Sequence, residues 1–138
     1  MTTYPRLAQV VLDSTDCRRL AEFYRGLLGL AYRPGDEPPP EGQPDPRGED
    51  WLVLRGDGGL ELAFQQEPEL RPTTWPSHEV PMQAHLDTVV GTVEELAEVH
   101  GRALSLGARE LMDRTDDPDE PLWVLADPDG HPFCVMVG

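Results

Sequence analysis

Two periodicities of apolar positions alternate along this chain, and the switches between them outline its elements. The run from Arg6 to Asp13 is apolar and rich in Val and Leu, as in a strand. Beyond it, Leu20, Tyr24, Leu27 and Leu28 fall at helical spacing on one face. Ser14, Thr15 and Asp16 offer oxygens to cap that helix, and Gly29 is a natural stop. A strand led by Trp51-Leu52-Val53-Leu54 follows, then the turn Asp57-Gly58-Gly59 and a last strand through Phe64. The second half repeats the order. A strand around His85 precedes Thr92-Val93-Glu94-Glu95, whose spacing lets the glutamate reach back to the cap amide. Val93, Leu96, Ala97, His100 and Leu104 form the expected helical stripe, ended near Gly107. Trp123-Val124-Leu125-Ala126, the turn Asp127-Pro128-Asp129-Gly130 and a final strand close the chain.

The halves are related residue by residue. Leu20-Ala21-Glu22-Phe23-Tyr24 recurs as Leu96-Ala97-Glu98-Val99-His100, an offset of 76 from residue 20 to residue 96. Ala8-Gln9 matches Ala84-His85 at the same offset, and the two Trp-led strands match at 72, from residue 51 to residue 123. Matches kept in order across both halves indicate two copies of one supersecondary unit. Each copy reads strand, helix, three strands, an α+β arrangement within one domain of residues 1–138. Repeat 1 spans about 5–66, a linker about 67–81, and repeat 2 about 82–138. The linker carries Pro68, Pro72, Pro76 and Pro81. A second proline-rich stretch, 34–48, cannot supply ladder donors. It is expected as an exposed excursion, a disordered surface loop in preference to a cover over a pocket mouth.

Charge removes several function classes. Eleven basic residues, all arginine, stand against 26 acidic ones, a formal net charge of −15. Such an excess repels phosphate backbones and anionic headgroups, so neither nucleic acid nor a membrane surface is an expected partner. No apolar run reaches the ~20 residues of a membrane span, and the first residues lack the pattern of a signal peptide. With two cysteines, Cys17 and Cys134, a disulfide framework is not expected, and a cytoplasmic setting suits both as thiols. The absence of Lys, Ile and Asn points to a G+C-rich, bacterial genome. No Gly-rich phosphate loop or Gly-x-Ser-x-Gly elbow is present.

Four stretches carry a family resemblance: Asp16-Cys17-Arg18-Arg19-Leu20-Ala21-Glu22-Phe23-Tyr24-Arg25-Gly26-Leu27-Leu28-Gly29, Gly59-Leu60-Glu61-Leu62-Ala63-Phe64, Ala84-His85-Leu86-Asp87, and Asp127-Pro128-Asp129-Gly130-His131-Pro132-Phe133. With the βαβββ repeat they resemble the vicinal oxygen chelate superfamily, in its glyoxalase-like and bleomycin-resistance-like group. The resemblance implies paired half-barrels around a cavity, a small-molecule ligand and a homodimer. Metal-dependent members of that family take ligands from places that fall here on Gln9, Glu61, His85 and Cys134. Gln9, Glu61 and His85 are residue types that such members use, and they imply one divalent metal (Zn, Ni, Co or Mn). Cys134 departs from the pattern, since the family's isomerase has there a glutamate that is both ligand and base. Classical glyoxalase activity is therefore not expected. The extradiol dioxygenase set of two histidines and a glutamate is missing in repeat 2.

Strand alternation bears on the same residues. Gln9 and Val11 oppose Ala8, Val10 and Leu12; Glu61 opposes Leu60, Leu62 and Phe64; Gln83, His85 and Asp87 oppose Ala84 and Leu86; Cys134 and Met136 oppose Phe133, Val135 and Val137. All four places can then line one cavity. Glu61 is the candidate base or ligand, with Gln9, His85, Cys134, Met136 and Trp51 as candidate lining. Plainer roles stand beside these: Cys134 as a small buried apolar residue, Trp51 and Trp123 as core, His100 as packing. His131, after a turn, is expected at the surface, and His78 falls in the linker. Two functions remain open: chemistry on an oxygen-rich metabolite, or sequestration of a cationic or aromatic antibiotic. A third, a regulatory partner of another enzyme, has less behind it.

Overall fold

The computed structural model describes all 138 residues. Eight strands and two α-helices follow the order β1 (Val10–Ser14), α1 (Cys17–Leu28), β2 (Ala31–Tyr32), β3 (Trp51–Arg55), β4 (Glu61–Gln66), β5 (Leu86–Val90), α2 (Val93–Leu106), β6 (Arg109–Arg114), β7 (Leu122–Ala126) and β8 (Pro132–Val137). They form two four-stranded sheets of identical topology, β1-β4-β3-β2 and β5-β8-β7-β6. In each, the first strand pairs parallel with the last, which forces the helical crossover between them. The two βαβββ units are the arrangement that the repeat and the family resemblance implied.

Helix α1 forms where the sequence places it. Asp16 caps it by accepting the Arg19 amide at 3.1 Å, and Gly29, at φ +69°, closes it with its N–H on the Arg25 carbonyl. Leu20, Ala21, Tyr24 and Leu27 are buried on its inner face. Helix α2 departs from its expected stripe. Val93 and Leu104 are exposed, and the chain buries Leu96 and Ala103 with Val99 and Leu106 beside them. That stripe also has spacings of three and four, and repeat symmetry with Leu28 had favoured Leu104. Glu95 accepts the Gly91 amide (2.7 Å) rather than that of the cap residue Thr92.

The two helices share one core. Leu52, Leu54, Leu62 and Phe64 of the first sheet and Leu125, Phe133 and Val135 of the second converge on them, around Phe23 and Tyr24. Phe23 meets Tyr24 edge-on with ring centroids 5.0 Å apart, and Phe133 at 5.8 Å. Alternation assigns the faces of β4 and β8 as expected, but Val10 and Leu60, expected on the helix side, are exposed, and strand lengths differ. β1 starts at Val10 and not Arg6, because β4 offers pairing only from Leu62 onward; Tyr4 and Leu7 are exposed. β5 starts at Leu86, after Gln83 adopts φ +57° and ends the linker in a tight turn, Ala84 N–H to Met82 carbonyl at 2.6 Å.

The proline-rich stretch is anchored, contrary to the disordered loop expected. Arg18 of α1 grips Asp45 with two nitrogens (2.8 and 3.0 Å) and the Asp36 carbonyl at 2.6 Å. Asp36 itself is fully buried. β2 is two residues long, so the Val53 amide would lack a ladder partner; the Asp36 carboxylate accepts it at 2.9 Å. Burial pushes that carboxyl up, but Arg33, the Val53 amide and Arg47 outweigh it and hold it below its ordinary value. Prolines fix this path without needing ladder donors, and the arginines decide where it lies.

A polar latch joins the repeats. Asp129, in the β7–β8 turn, accepts hydrogen bonds from Ser14 Oγ (2.5 Å), Thr15 Oγ1 (2.6 Å), the Thr15 amide (3.1 Å) and Arg19 (3.1 Å). Asp127 accepts from the Tyr24 hydroxyl at 2.6 Å. Burial drives both the Asp127 carboxyl and the Tyr24 hydroxyl above their ordinary values, so the phenol keeps its proton. His131 is not a surface residue: it is half-buried, and its Nε2 donates to the Asp13 carbonyl at 2.6 Å. The turn packs on the linker too. Gly130 has φ +90°, and a Cβ there would run into the Pro72 side chain, so only glycine fits.

Candidate functional site

On the face of the second sheet away from the helices, the chain gathers a group that composition alone does not suggest. β5 and β8 run parallel with Asp87 opposite Cys134. His85 lies two residues before Asp87, on the same face. A His85 nitrogen, an Asp87 carboxylate oxygen and the Cys134 sulfur all lie within 4.8 Å of one another. His85 Nε2 is 3.2 Å from Asp87 Oδ1. Cys134 is nearly buried among Leu122 and Val124, with Trp75, Met82 and Met136 packed on them. Burial foremost, then the Asp87 charge, pushes its thiol up to about 11. The metal-free group therefore holds a protonated thiol at neutral pH, not a nucleophile.

The linker builds the cover over this face. Thr73, buried, donates to the Val80 carbonyl at 2.8 Å, and Thr74 N–H bonds the same carbonyl at 2.9 Å. This closed loop holds Trp75 inward, against the Cys134 cluster. Gln83 in the left-handed region is a strained position for a residue with a side chain, and it directs the chain into His85.

Between the repeats lies a cavity of about 550 Å³, walled by β1, the linker, the start of β5 and the β7–β8 turn. His85 opens onto it, with Val10, Val11, Met82, Arg71 and His131 among its walls. Its size falls in the ~300–1,000 Å³ range of small-molecule sites. Asp129 and Gly130 separate it from a smaller cavity of about 420 Å³ that Arg109 lines.

The other candidates lie elsewhere. Glu61 heads β4 in the first sheet, opposite Arg55, whose Nε it binds at 3.0 Å. It is not in the group that His85 forms. Gln9 is half-buried, one residue before β1, and does not line the cavity between the repeats. Trp51 leads β3, half-buried, opposite Gln65. Met136 packs beside Cys134. His100 stacks flat on Trp123, rings 3.9 Å apart, and bonds Glu110 at 2.8 Å. Alternation put Asp87 on the face of His85, but neither Asp87 nor Trp75 stood among the candidate site residues. His85-Leu86-Asp87 spacing on a strand was the available signal for Asp87; Trp75 had none, since its place depends on the linker's closure.

The fold defines a vicinal oxygen chelate protein, and comparison with known proteins bears that out. The glyoxalase-like domain matches residues 9–136, and the chain belongs to that family. Among solved structures, a fosfomycin resistance protein, FosX, from Listeria monocytogenes superposes with a TM-score of 0.70 at 15% identity, covering 99% of this chain and 93% of that one. A glyoxalase/bleomycin resistance protein from Albidiferax ferrireducens T118 gives 0.64 at 17% identity, over 96% and 98%. A glyoxalase/bleomycin resistance protein/dioxygenase family enzyme from Burkholderia phytofirmans PsJN gives 0.67 at 16%, over 94% and 96%. At such identities the likeness is one of fold. No curated protein matches the sequence. No helix is long and apolar enough to cross a membrane.

Proposed function

We propose that residues 1–138 form one glyoxalase-like domain that binds and acts on an oxygen-rich small molecule in the cavity between its repeats, with a divalent metal held by His85, Asp87 and Cys134. The observation that carries this reading is the approach of those three side chains within 4.8 Å, with His85 shared between group and cavity. One imidazole, one carboxylate and one thiol are a donor set suited to zinc, with a position left for water or substrate. When bound, such a metal supplies polarisation of neighbouring substrate oxygens. The chain's own residues bring the donors together and shield one of them: His85 Nε2 stands 3.2 Å from Asp87 Oδ1, and Trp75 and Met82 pack on the Cys134 cluster. Taking up metal displaces the Cys134 proton, so affinity rises with pH.

This assignment keeps His85 and Cys134 from the family's ligand places and adds Asp87. Glu61 stands on the other sheet, engaged by Arg55, and Gln9 just before the first strand of that sheet. The homodimer that the resemblance implies fits the exposed apolar side chains of Tyr4, Leu7, Val10 and Val11; a bacterial cytoplasm fits two free thiols. The rival, sequestration of a cationic or aromatic antibiotic, draws on the net charge of −15.

Cobalt(II) titration tests the proposal. A thiolate-to-cobalt charge-transfer band at about one cobalt per chain, lost in Cys134→Ser and weakened in Asp87→Asn, is the expected result. A titration with no such band contradicts it.

A further inference from the structure

Methionine is scarce in this chain and unevenly placed. Beyond Met1 there are three, Met82, Met112 and Met136, and all three pack on the small cluster that holds Cys134. The larger core, which includes the other thiol, Cys17, contains none. A thioether that served only to fill gaps has no reason to avoid the larger core. Each of the three is half-buried, so an ion from solvent can reach it.

Strand register decides which of them stand near Cys134. Side chains of paired residues share a face, so Asp87, Cys134, Val124 and Met112 form one row across β5, β8, β7 and β6. Met136 follows Cys134 by two residues on the same face, about 7 Å along the strand. Met112 stands two strands from Cys134, about 10 Å away across Val124. Met82 comes from the linker and lines the cavity onto which His85 opens. Cys134 thus has a carboxylate and an imidazole on one side, within 4.8 Å. Against the rest of its cluster it has the side chains of Met136 and Met82, with Leu122, Val124 and Trp75 supplying no oxygen donor there. The first set suits a divalent ion. The second is soft: thiolate and thioether sulfur select copper(I).

We propose that Cys134, Met136 and Met82, with the imidazole of His85, bind one copper(I) ion on the second sheet. The metal enters as copper(I), so no oxidation state changes, and the Cys134 proton passes to solvent. This site shares Cys134 and His85 with the divalent site proposed above, so the two ions compete for it. It differs in its remaining donors, methionine sulfur in place of the Asp87 carboxylate.

The test is competition between the full, reduced chain and bicinchoninate for copper(I) in the absence of oxygen, read from the absorbance of the copper–chelator complex. About one copper(I) per chain is expected to leave the chelator, and Cys134→Ser to abolish this. Met136→Leu and Met82→Leu, which conserve volume and keep the fold, are each expected to weaken binding at least about tenfold. Met112→Leu and Asp87→Asn are expected to change it by less than about twofold. The inference is overturned if the chain withdraws no copper(I), if Cys134→Ser still does, if either Met136→Leu or Met82→Leu binds like the parent, or if Met112→Leu or Asp87→Asn weakens binding as much as they do. Zinc binding by the same proteins separates the two readings, since Met136→Leu should keep it and Asp87→Asn weaken it. Zinc held with copper(I) left to the chelator ends this inference alone; copper(I) held with neither zinc nor cobalt bound ends the divalent reading alone.

Discussion

The two sheets have the same topology, yet Glu61 on the first and Asp87 on the second have different partners. In the first repeat three carboxylates near the sheet meet arginines: Asp36 with Arg33 and Arg47, Asp45 with Arg18, Glu61 with Arg55. In the second, Asp87 meets a histidine and a thiol and no arginine. An arginine satisfies a carboxylate permanently, because it never gives up its proton. A carboxylate left with His and Cys remains available to a cation. Glu61, Asp36 and Asp45 are thus engaged within the first repeat, whereas the proposed site leaves Asp87 to a cation.

The sharpest way to break this contrast is at the latch that joins the halves. Asp129→Ala leaves Ser14, Thr15 and Arg19 without their buried acceptor and is expected to cost roughly 3–5 kcal/mol. Thermal unfolding should fall by on the order of 10 °C. Less severe is Asp36→Ala, which orphans the Val53 amide and two arginines, at about 2–4 kcal/mol. Its pH signature has a definite sign. The Asp36 carboxyl lies below its ordinary 3.8 in the folded chain, so its stabilising effect is present above that value and fades as pH falls through the lower, folded one. Acid titration followed by amide exchange at Val53 should show it, and Asp36→Asn should flatten it.

Smaller effects are expected at Trp75 and Glu61. Trp75→Ala should open Cys134 to a thiol reagent, raising its labelling rate several-fold, while Cys17, buried at the start of α1 with its thiol pushed up to about 12 by burial, stays unreactive. Glu61→Gln removes a partly exposed ion pair and should change stability by less than about 1 kcal/mol. It should also leave metal binding intact, whereas a change at Asp87 should not.

Much of this was legible in the sequence. The Leu20/Leu96 repeat gave the βαβββ order, and alternation put Phe133 and Val135 on the helix side and Cys134 on the other. Three things were not legible, each for a physical reason. The α2 stripe was ambiguous, because two faces of that helix have apolar spacing. The loop of residues 34–48 looked disordered because proline content says nothing of Arg18, 27 residues before Asp45, or of the Val53 amide left free by a short β2. The site itself depends on register: nothing local sets Asp87 opposite Cys134 until β5 and β8 pair.

The most direct test of the contrast is zinc content after loading and exhaustive dialysis, measured on the parent chain, Asp87→Ala and Glu61→Gln side by side. About one zinc per chain in the parent and in Glu61→Gln, with loss in Asp87→Ala, is the outcome expected of a site on the second repeat. Zinc retained by Asp87→Ala and lost by Glu61→Gln would place the metal on the first repeat and contradict the account.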